Sequence, residues 1–230
     1  MEADAVVKER YVRNIGTITE KEQNLLAAKS VCVIGCGGLG GGVIERLARM
    51  GVGHITAVDC DVFDKSNLNR QVLSNEENIG RAKAEEAAEQ MNKINSDVQV
   101  QALQQMLDVD SAEEIIAGHD LIVDALDGPD ARIVLEAACE KLGLPLVHGA
   151  IEGWNGQVAV IMPGDKLLKS IYGEECEQVD RPSCPSFTPA IVSAVQVSEA
   201  VKVLLGKEET LAGRMLTIDL LNNDFEIIDV

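Results

Sequence analysis

Cations are scarce in this sequence. Lys plus Arg total 20 against 38 Asp plus Glu, a formal charge of −18. Binding to nucleic-acid phosphates needs a cationic surface, so the acidic balance argues against a general nucleic-acid binder and leaves a local basic site open. CxxC pairs are absent. The cysteines, Cys32, Cys36, Cys60, Cys139, Cys176 and Cys184, never fall at that spacing, which weakens both a structural zinc site and a thioredoxin-like motif. A chain of this length does not need disulfide staples, and several of these cysteines sit in apolar runs, so buried reduced thiols are expected. No run of about 18 apolar residues exists, so no membrane span is expected. The first residues lack a basic run and a signal-length apolar core, so no secretory signal is expected and the cytosol is the default compartment. Aromatics are only 3%, with 46% hydrophobic and 25% charged residues. That balance fits a soluble globular protein of one large domain, with or without an appendage, rather than a disordered or fibrous chain.

The hydrophobic pattern supplies the order of elements. A polar, helix-compatible arm spans 1–30, with Thr19 and Glu22 at capping-box spacing. Ser30–Gly35 reads as a buried strand, followed by a glycine-rich turn and a helix to about Met50. His54–Asp59 is a second strand, and Gly80–Ile94 is helix-like. Strands follow at Val98–Leu103, Asp120–Ala125 and Leu144–Val147, with helices at Ser111–Ala117 and Ala131–Leu142 between them. Apolar strands alternating with helices predict βαβ units and a mostly parallel sheet covered by helices on both faces, a Rossmann-like α/β fold. That core is expected over 31–164. Residues 165–188 read as an irregular crossover loop. Thr188 is the expected N-cap of an apolar helix with Pro189 in its first turn, and Gly206 is its stop. Gln157–Met162 is a further strand. Met215–Leu220 and Phe225–Val230 read as an antiparallel hairpin, so 189–230 completes the same domain.

Gly35-Cys-Gly37-Gly38-Leu-Gly40 is a G-x-G-x-x-G between a strand and a helix. Such glycines bring backbone N–H groups and the positive end of a helix against phosphate. Asp59, at the end of the next strand, is placed to hold a ribose hydroxyl. The motif alone fits NAD as well as ATP. Asn67-Leu-Asn-Arg70-Gln71 and Lys83 add a cationic and polar set, and Asp127 follows the fourth strand at the ligand-binding edge. Displacement at phosphorus requires such a set, whereas hydride transfer does not. A carboxylate beside phosphates suits Mg²⁺. The bland alternatives are solvated charges at Arg70 and Lys83, a loop residue at Gln71 and a helix N-cap at Asp127.

The order RYVRN (10–14), GCGGLG (35–40), VDCD (58–61), NLNRQ (67–71), RAK (81–83) and DALDGPDAR (124–132) resembles the ThiF/MoeB/HesA family, relatives of ubiquitin-activating enzymes. The likeness runs from Arg10 to Leu220 and takes in PLVHGA (145–150) and RMLTID (214–219). It implies an adenylyltransferase that uses MgATP to activate the C-terminal glycine of a small ubiquitin-like sulfur carrier ending in Gly-Gly. By that resemblance Asp59 holds the ribose, and Gly35, Gly37, Gly38 and Gly40 form the nucleotide loop. Asn67, Arg70, Gln71 and Lys83 contact the phosphates, and Asp127 binds Mg²⁺. Arg13 matches an arginine that reaches the neighbouring subunit's ATP, implying a homodimer.

The pattern is departed from at two zinc-binding CxxC pairs that relatives carry, so no zinc is expected, and at Gly128-Pro129, where many relatives have Asn after the metal-binding Asp. Cys184, in the crossover, is a candidate for a covalent link to the carrier, its thiol pKa lowered if the following helix terminus is close. His148 is read as a structural histidine and Trp154 as a candidate partner contact. Activation of another carboxylate, or of a tRNA-linked substrate, stays open on the same fold. So do an NAD-dependent oxidoreductase and a binding module without turnover.

Overall fold

A computed structural model describes residues 7–173 and 183–230. Cys176, one of the two crossover cysteines, lies outside them. The strands are β1 (Ser30–Ile34), β2 (His54–Val58), β3 (Gln99–Leu103), β4 (Leu121–Asp124), β5 (Leu146–Glu152), β6 (Asn155–Ile161), β7 (Arg214–Asp219) and β8 (Asp224–Asp229). The helices are α1 (Glu20–Leu26), α2 (Gly38–Met50), α3 (Lys83–Ile94), α4 (Ala112–Ile116), α5 (Pro129–Leu142), α6 (Leu167–Tyr172) and α7 (Phe187–Leu204).

One sheet runs in the order β3-β2-β1-β4-β5-β6-β7-β8. The first five strands are parallel, and β6, β7 and β8 add antiparallel. This is the α/β class expected, with the antiparallel extension at the C-terminal end. Burial on both faces explains the continuous apolar strands. Val31 and Val33 of β1 pack with α2, α3 and α7, whereas Cys32 and Ile34 pack on the other face with α4, α5 and α6. Strand order reverses at β1, whose neighbours are β2 and β4. Open α/β sheets bind ligands at such a switch point, beyond the strands' carboxyl ends.

Local signals act where they were expected. Thr19 caps α1 in a full capping box with Glu22. Gly206, at φ +66°, follows the end of α7. Asn223, at φ +56°, sits in the turn between β7 and β8.

The stretch 165–188 is not simply irregular, because α6 interrupts it. The Glu136 carboxylate of α5 accepts the N–H groups of Leu168 and Lys169 at 2.7 and 3.0 Å, satisfying donors that a helix start leaves open. The N-cap of α7 is Ser186 rather than Thr188. Thr188 is buried and its hydroxyl donates instead to the Gly153 carbonyl at 2.6 Å, while Pro189 is tolerated because it lies in the first turn. β5 also continues past Val147 to Glu152 and turns through Gly153-Trp154 into β6.

α7 is long and apolar enough to cross a membrane, the one such helix among the described residues. It serves as a core helix, packed on α2, β5 and β6. Two glycines make this fit. A Cβ on Gly149 would lie 2.4 Å from Gln196, and one on Gly156 would lie 2.3 Å from Val192.

Candidate functional site

The switch point is built by strand register. Ile34, the last residue of β1, pairs with Val58 on one side and Asp124 on the other. The glycine loop, Asp59 and the loop bearing Asp127 therefore leave the sheet at the same edge. Gly35 has φ +98° and lies against the Ala125 backbone, where an added Cβ would sit 2.6 Å from the carbonyl oxygen. Gly40 is tighter still, because its Cβ would fall 1.7 Å from the Gly35 carbonyl oxygen. No side chain other than glycine allows this turn. Gly37 is the N-cap of α2, which begins at Gly38 with no acidic residue in its first turn. Its N-terminal N–H groups thus face the edge without a side-chain cap.

Asp59 is held rigidly. Its Oδ2 accepts the Cys36 N–H at 2.7 Å and its Oδ1 accepts the Asp61 N–H at 2.8 Å. Each carboxylate oxygen keeps a second lone pair for a ribose hydroxyl. Cys36 is buried, which drives its thiol pKa well up. Next to Asp59, the exposed Cys60 is also shifted up, by desolvation first and by the Asp61 and Asp59 charges next.

The phosphate set is arranged less simply than its spacing suggests. Arg70 donates Nη1 to the Ser66 carbonyl and to Asn69 Oδ1, both at 2.9 Å. Gln71 is buried beneath the loop. A Cβ on Gly37 would meet its Nε2 at 3.5 Å, and its Oε1 has no hydrogen-bond partner among the described residues. Asn67 is occupied as a cap, accepting the Asp64 N–H at 2.9 Å and closing a reciprocal box with Asp64. Lys83 is buried, and its Nζ pairs with Asp61 Oδ2 at 2.9 Å. Asp127 is exposed, one residue before Gly128, which is the N-cap of α5.

An open cavity of about 520 Å³ adjoins the loop, lined among others by Gly38, Arg46, Arg70, Gln71, Ser186 and Ser193. Arg70, Gln71 and Gly38 meet there, whereas Lys83, Asp59, Asp127, Cys184 and Arg13 do not line it. Arg13 lies in the last turn of a 3-10 helix, Glu9–Asn14, and is exposed. Tyr11 of that helix is buried and accepts a hydrogen bond from Asn95 at 2.7 Å, fastening the arm to its own core. Cys184 is close enough to Arg70 to feel its charge, and its carbonyl accepts from Asn69 Nδ2 at 3.0 Å. Its thiol pKa is nonetheless raised: burial outweighs the opposing pull of Arg70. The expected lowering by the helix terminus is not what the geometry produces.

Several site features escaped the motif reading. Arg46 and Ser193 carry no signature, since their meeting depends on α2 packing against α7. His148 pairs with Asp124 in the buried layer under the Asp127 loop.

A glycine-loop α/β fold with its binding edge at the switch point and two arginines in the cavity beside it has the layout of a nucleotide-binding protein. The ThiF family model matches residues 11–230, and the chain belongs to the ThiF family. The SAMP-activating enzyme E1 of Haloferax volcanii is 36% identical over 232 residues, covering 98% of this chain and 86% of that one. The sulfur carrier protein adenylyltransferase of Thermus thermophilus is 35% identical over 235 residues, covering 96% and 87%. The molybdopterin-synthase adenylyltransferase of Salmonella typhimurium is 31% identical over 224 residues, covering 94% and 90%. Among solved structures, E. coli MccB with ATP superposes with a TM-score of 0.84 at 21% identity, covering 97% of this chain and 72% of that one. That likeness shows the fold.

Proposed function

We propose that this protein adenylates the C-terminal carboxylate of a small ubiquitin-like sulfur carrier, using ATP. The observation that carries the proposal is the joining of the glycine loop and Asp59 with Arg70 and Gln71 at one sheet edge, in a chain whose relatives at 31–36% identity are named as adenylyltransferases or as a carrier-activating enzyme.

A C-terminal carboxylate is ionised at neutral pH, so it needs no general base. One carboxylate oxygen attacks the α-phosphorus of ATP and forms an acyl–O–P bond. The bond between the α-phosphorus and the bridging oxygen breaks, and pyrophosphate leaves with the electron pair. The protein's task is to hold two anions together and take up the charge that grows on the leaving group. The α2 N-terminus and the glycine backbone receive phosphate, Arg70 and Gln71 orient it, and Asp59 fixes the ribose. Lys83 reaches the phosphates by sharing its Nζ with Asp61. A single exposed carboxylate combined with phosphate oxygens suits Mg²⁺, which would be held by Asp127 and would neutralise phosphate charge.

Arg13 is exposed on a fastened arm and is absent from the cavity of its own chain, which supports a homodimer in which each copy offers Arg13 to its neighbour. The described cysteines are free thiols, which supports a reducing compartment such as the cytosol. We assign Cys184 the later capture of the activated carboxyl, in which its thiolate attacks the acyl carbon, a thioester forms and AMP leaves; the Arg70 charge favours that thiolate.

The test is Mg²⁺-dependent ATP–pyrophosphate exchange with carriers that keep or lack the terminal Gly-Gly. Exchange that needs the intact tail and is lost in Arg70→Ala and Asp127→Ala supports the proposal. ATP binding without exchange for any such carrier would redirect it to a different carboxylate.

A further inference from the structure

We propose that the cavity floored by Arg46 and Ser193 is the seat of the pyrophosphate end of the nucleotide, and that Arg46 is a binding residue for the leaving group. This rests on the adenylation reading above and extends it to residues that no motif covers.

Two helices open into this cavity. Gly38 is the first residue of α2, and Ser186 and Phe187 are the N-cap and first residue of α7. Neither helix carries an acidic residue in its first turn, and neither N-cap makes a side-chain capping bond. Among the described residues, both positive helix ends therefore meet this space without a capping acid of their own. Most helix starts elsewhere in the chain do carry acids, as in α1, α3, α4 and α5.

The side chains agree. Arg46 and Arg70 both line the cavity, with hydroxyls from Ser74, Ser186 and Ser193, and no carboxylate lines it among the described residues. In a chain with a formal charge of −18, two guanidiniums facing one cavity, with no acid among its described lining residues, set that cavity apart. Among the described residues neither arginine is in a salt bridge.

Arg46 is aimed by the backbone. Its Nη1 donates to the Gly42 carbonyl at 2.8 Å and reaches Ser193 Oγ at 3.4 Å. A Cβ at Gly42 would lie 2.7 Å from both atoms, so glycine there is what admits the guanidinium. The arginine folds back toward the start of α2, the end where phosphate enters. Five donors on one fork leave several for a ligand after these contacts.

The ligand class follows from the layout. Gly38 belongs both to the glycine loop and to the cavity, and Arg70 and Gln71 of the cavity lie against Gly38 and Gly37, so an anion filling the cavity would continue from a phosphate on the loop. A string of linked phosphates matches two helix ends and two guanidiniums, whereas a single carboxylate engages only part of them. The forward reaction releases such a group.

The test measures equilibrium binding of inorganic pyrophosphate and of AMP to the full-length chain, as wild type, Arg46→Met and Arg46→Lys, with thermal melting as a check of folding. Arg46→Met is expected to weaken pyrophosphate binding about tenfold and to leave AMP binding within about twofold, with Arg46→Lys between. If Arg46→Met does not fold, Ser193→Ala is read in the same way, with a smaller expected loss. Unchanged pyrophosphate binding in a folded variant that still binds AMP overturns the proposal and leaves adenylation standing. Equal loss of AMP and pyrophosphate also overturns it, because Arg46 would then be acting on the whole site. A wild-type chain that binds neither ATP nor AMP overturns the adenylation reading itself.

Discussion

His148 Nδ1 and Asp124 Oδ2 lie 2.7 Å apart, both residues fully buried, at paired positions of β5 and β4. With its proton on Nδ1 the ring donates to Asp124 and accepts from Gln157 Nε2 at 3.1 Å. Gln157 also donates to the Tyr172 hydroxyl at 2.9 Å, as does Arg132 at 2.8 Å. A further Arg132 nitrogen donates to the Leu126 carbonyl at 2.6 Å, just before Asp127. The network thus ties the candidate metal loop to α5 and to the end of α6. It is a positioning layer below the site.

Breaking a buried ionic or hydrogen-bonded pair by removing one partner strands the other in a low-dielectric interior. His148→Ala is expected to cost about 3 kcal/mol of stability, read by urea unfolding. Tyr172→Phe, which keeps the ring over Arg132, should cost about 1 kcal/mol. A His148→Ala loss within error of zero would show that Asp124 is satisfied without the ring.

The glycine turn leaves no room for a methyl group. Gly40→Ala would place its Cβ 1.7 Å from the Gly35 carbonyl oxygen, so the loop must move. A loss of about 3 kcal/mol is expected, together with loss of the thermal stabilisation by ATP that the proposed function predicts for the wild type. An alanine variant that melts like wild type and gains as much stability from ATP would show that the turn tolerates a methyl group.

Burial raises the Cys184 thiol and Arg70 partly offsets that shift. Thiolate is the reacting species. Alkylation of Cys184 should therefore stay slow until the pH exceeds the ordinary thiol range. Arg70→Ala removes the cation that favours the thiolate, so its profile should move to still higher pH. Iodoacetamide rates against pH, with peptide mapping to separate Cys184 from exposed Cys60, provide the check. A profile that moves to lower pH in Arg70→Ala would contradict the assignment.

Glu22 is held down to about 2, first by Lys207 and then by the Thr19 N–H and hydroxyl. Its folded pKa lies below the unfolded carboxylate value, so its contribution is complete above about pH 4.5 and fades as the pH falls toward 2. The melting-temperature difference between wild type and Glu22→Gln should be constant above that range, shrink through it and vanish below it. Because the pair is exposed, added salt should also shrink it. A difference that grows on acidification would refute the sign.

The order of strands and helices was legible because its signals are local. A capping box spans four residues, as at Thr19, and apolar periodicity marks each element. The glycine loop and Asp59 announce themselves by spacing along one βαβ unit. What spacing does not carry is the partner of each side chain. Lys83 pairs with Asp61, Thr188 turns its hydroxyl to Gly153, and Glu136 caps α6 from another helix. Arg46 meets Ser193 across 147 positions of sequence. The sequence by itself determined the nucleotide-binding fold and the family. Only the tertiary structure decided which of the motif residues share one cavity and how much of each charge is already engaged. Such contacts are set by strand register and helix packing, which join segments far apart in the chain.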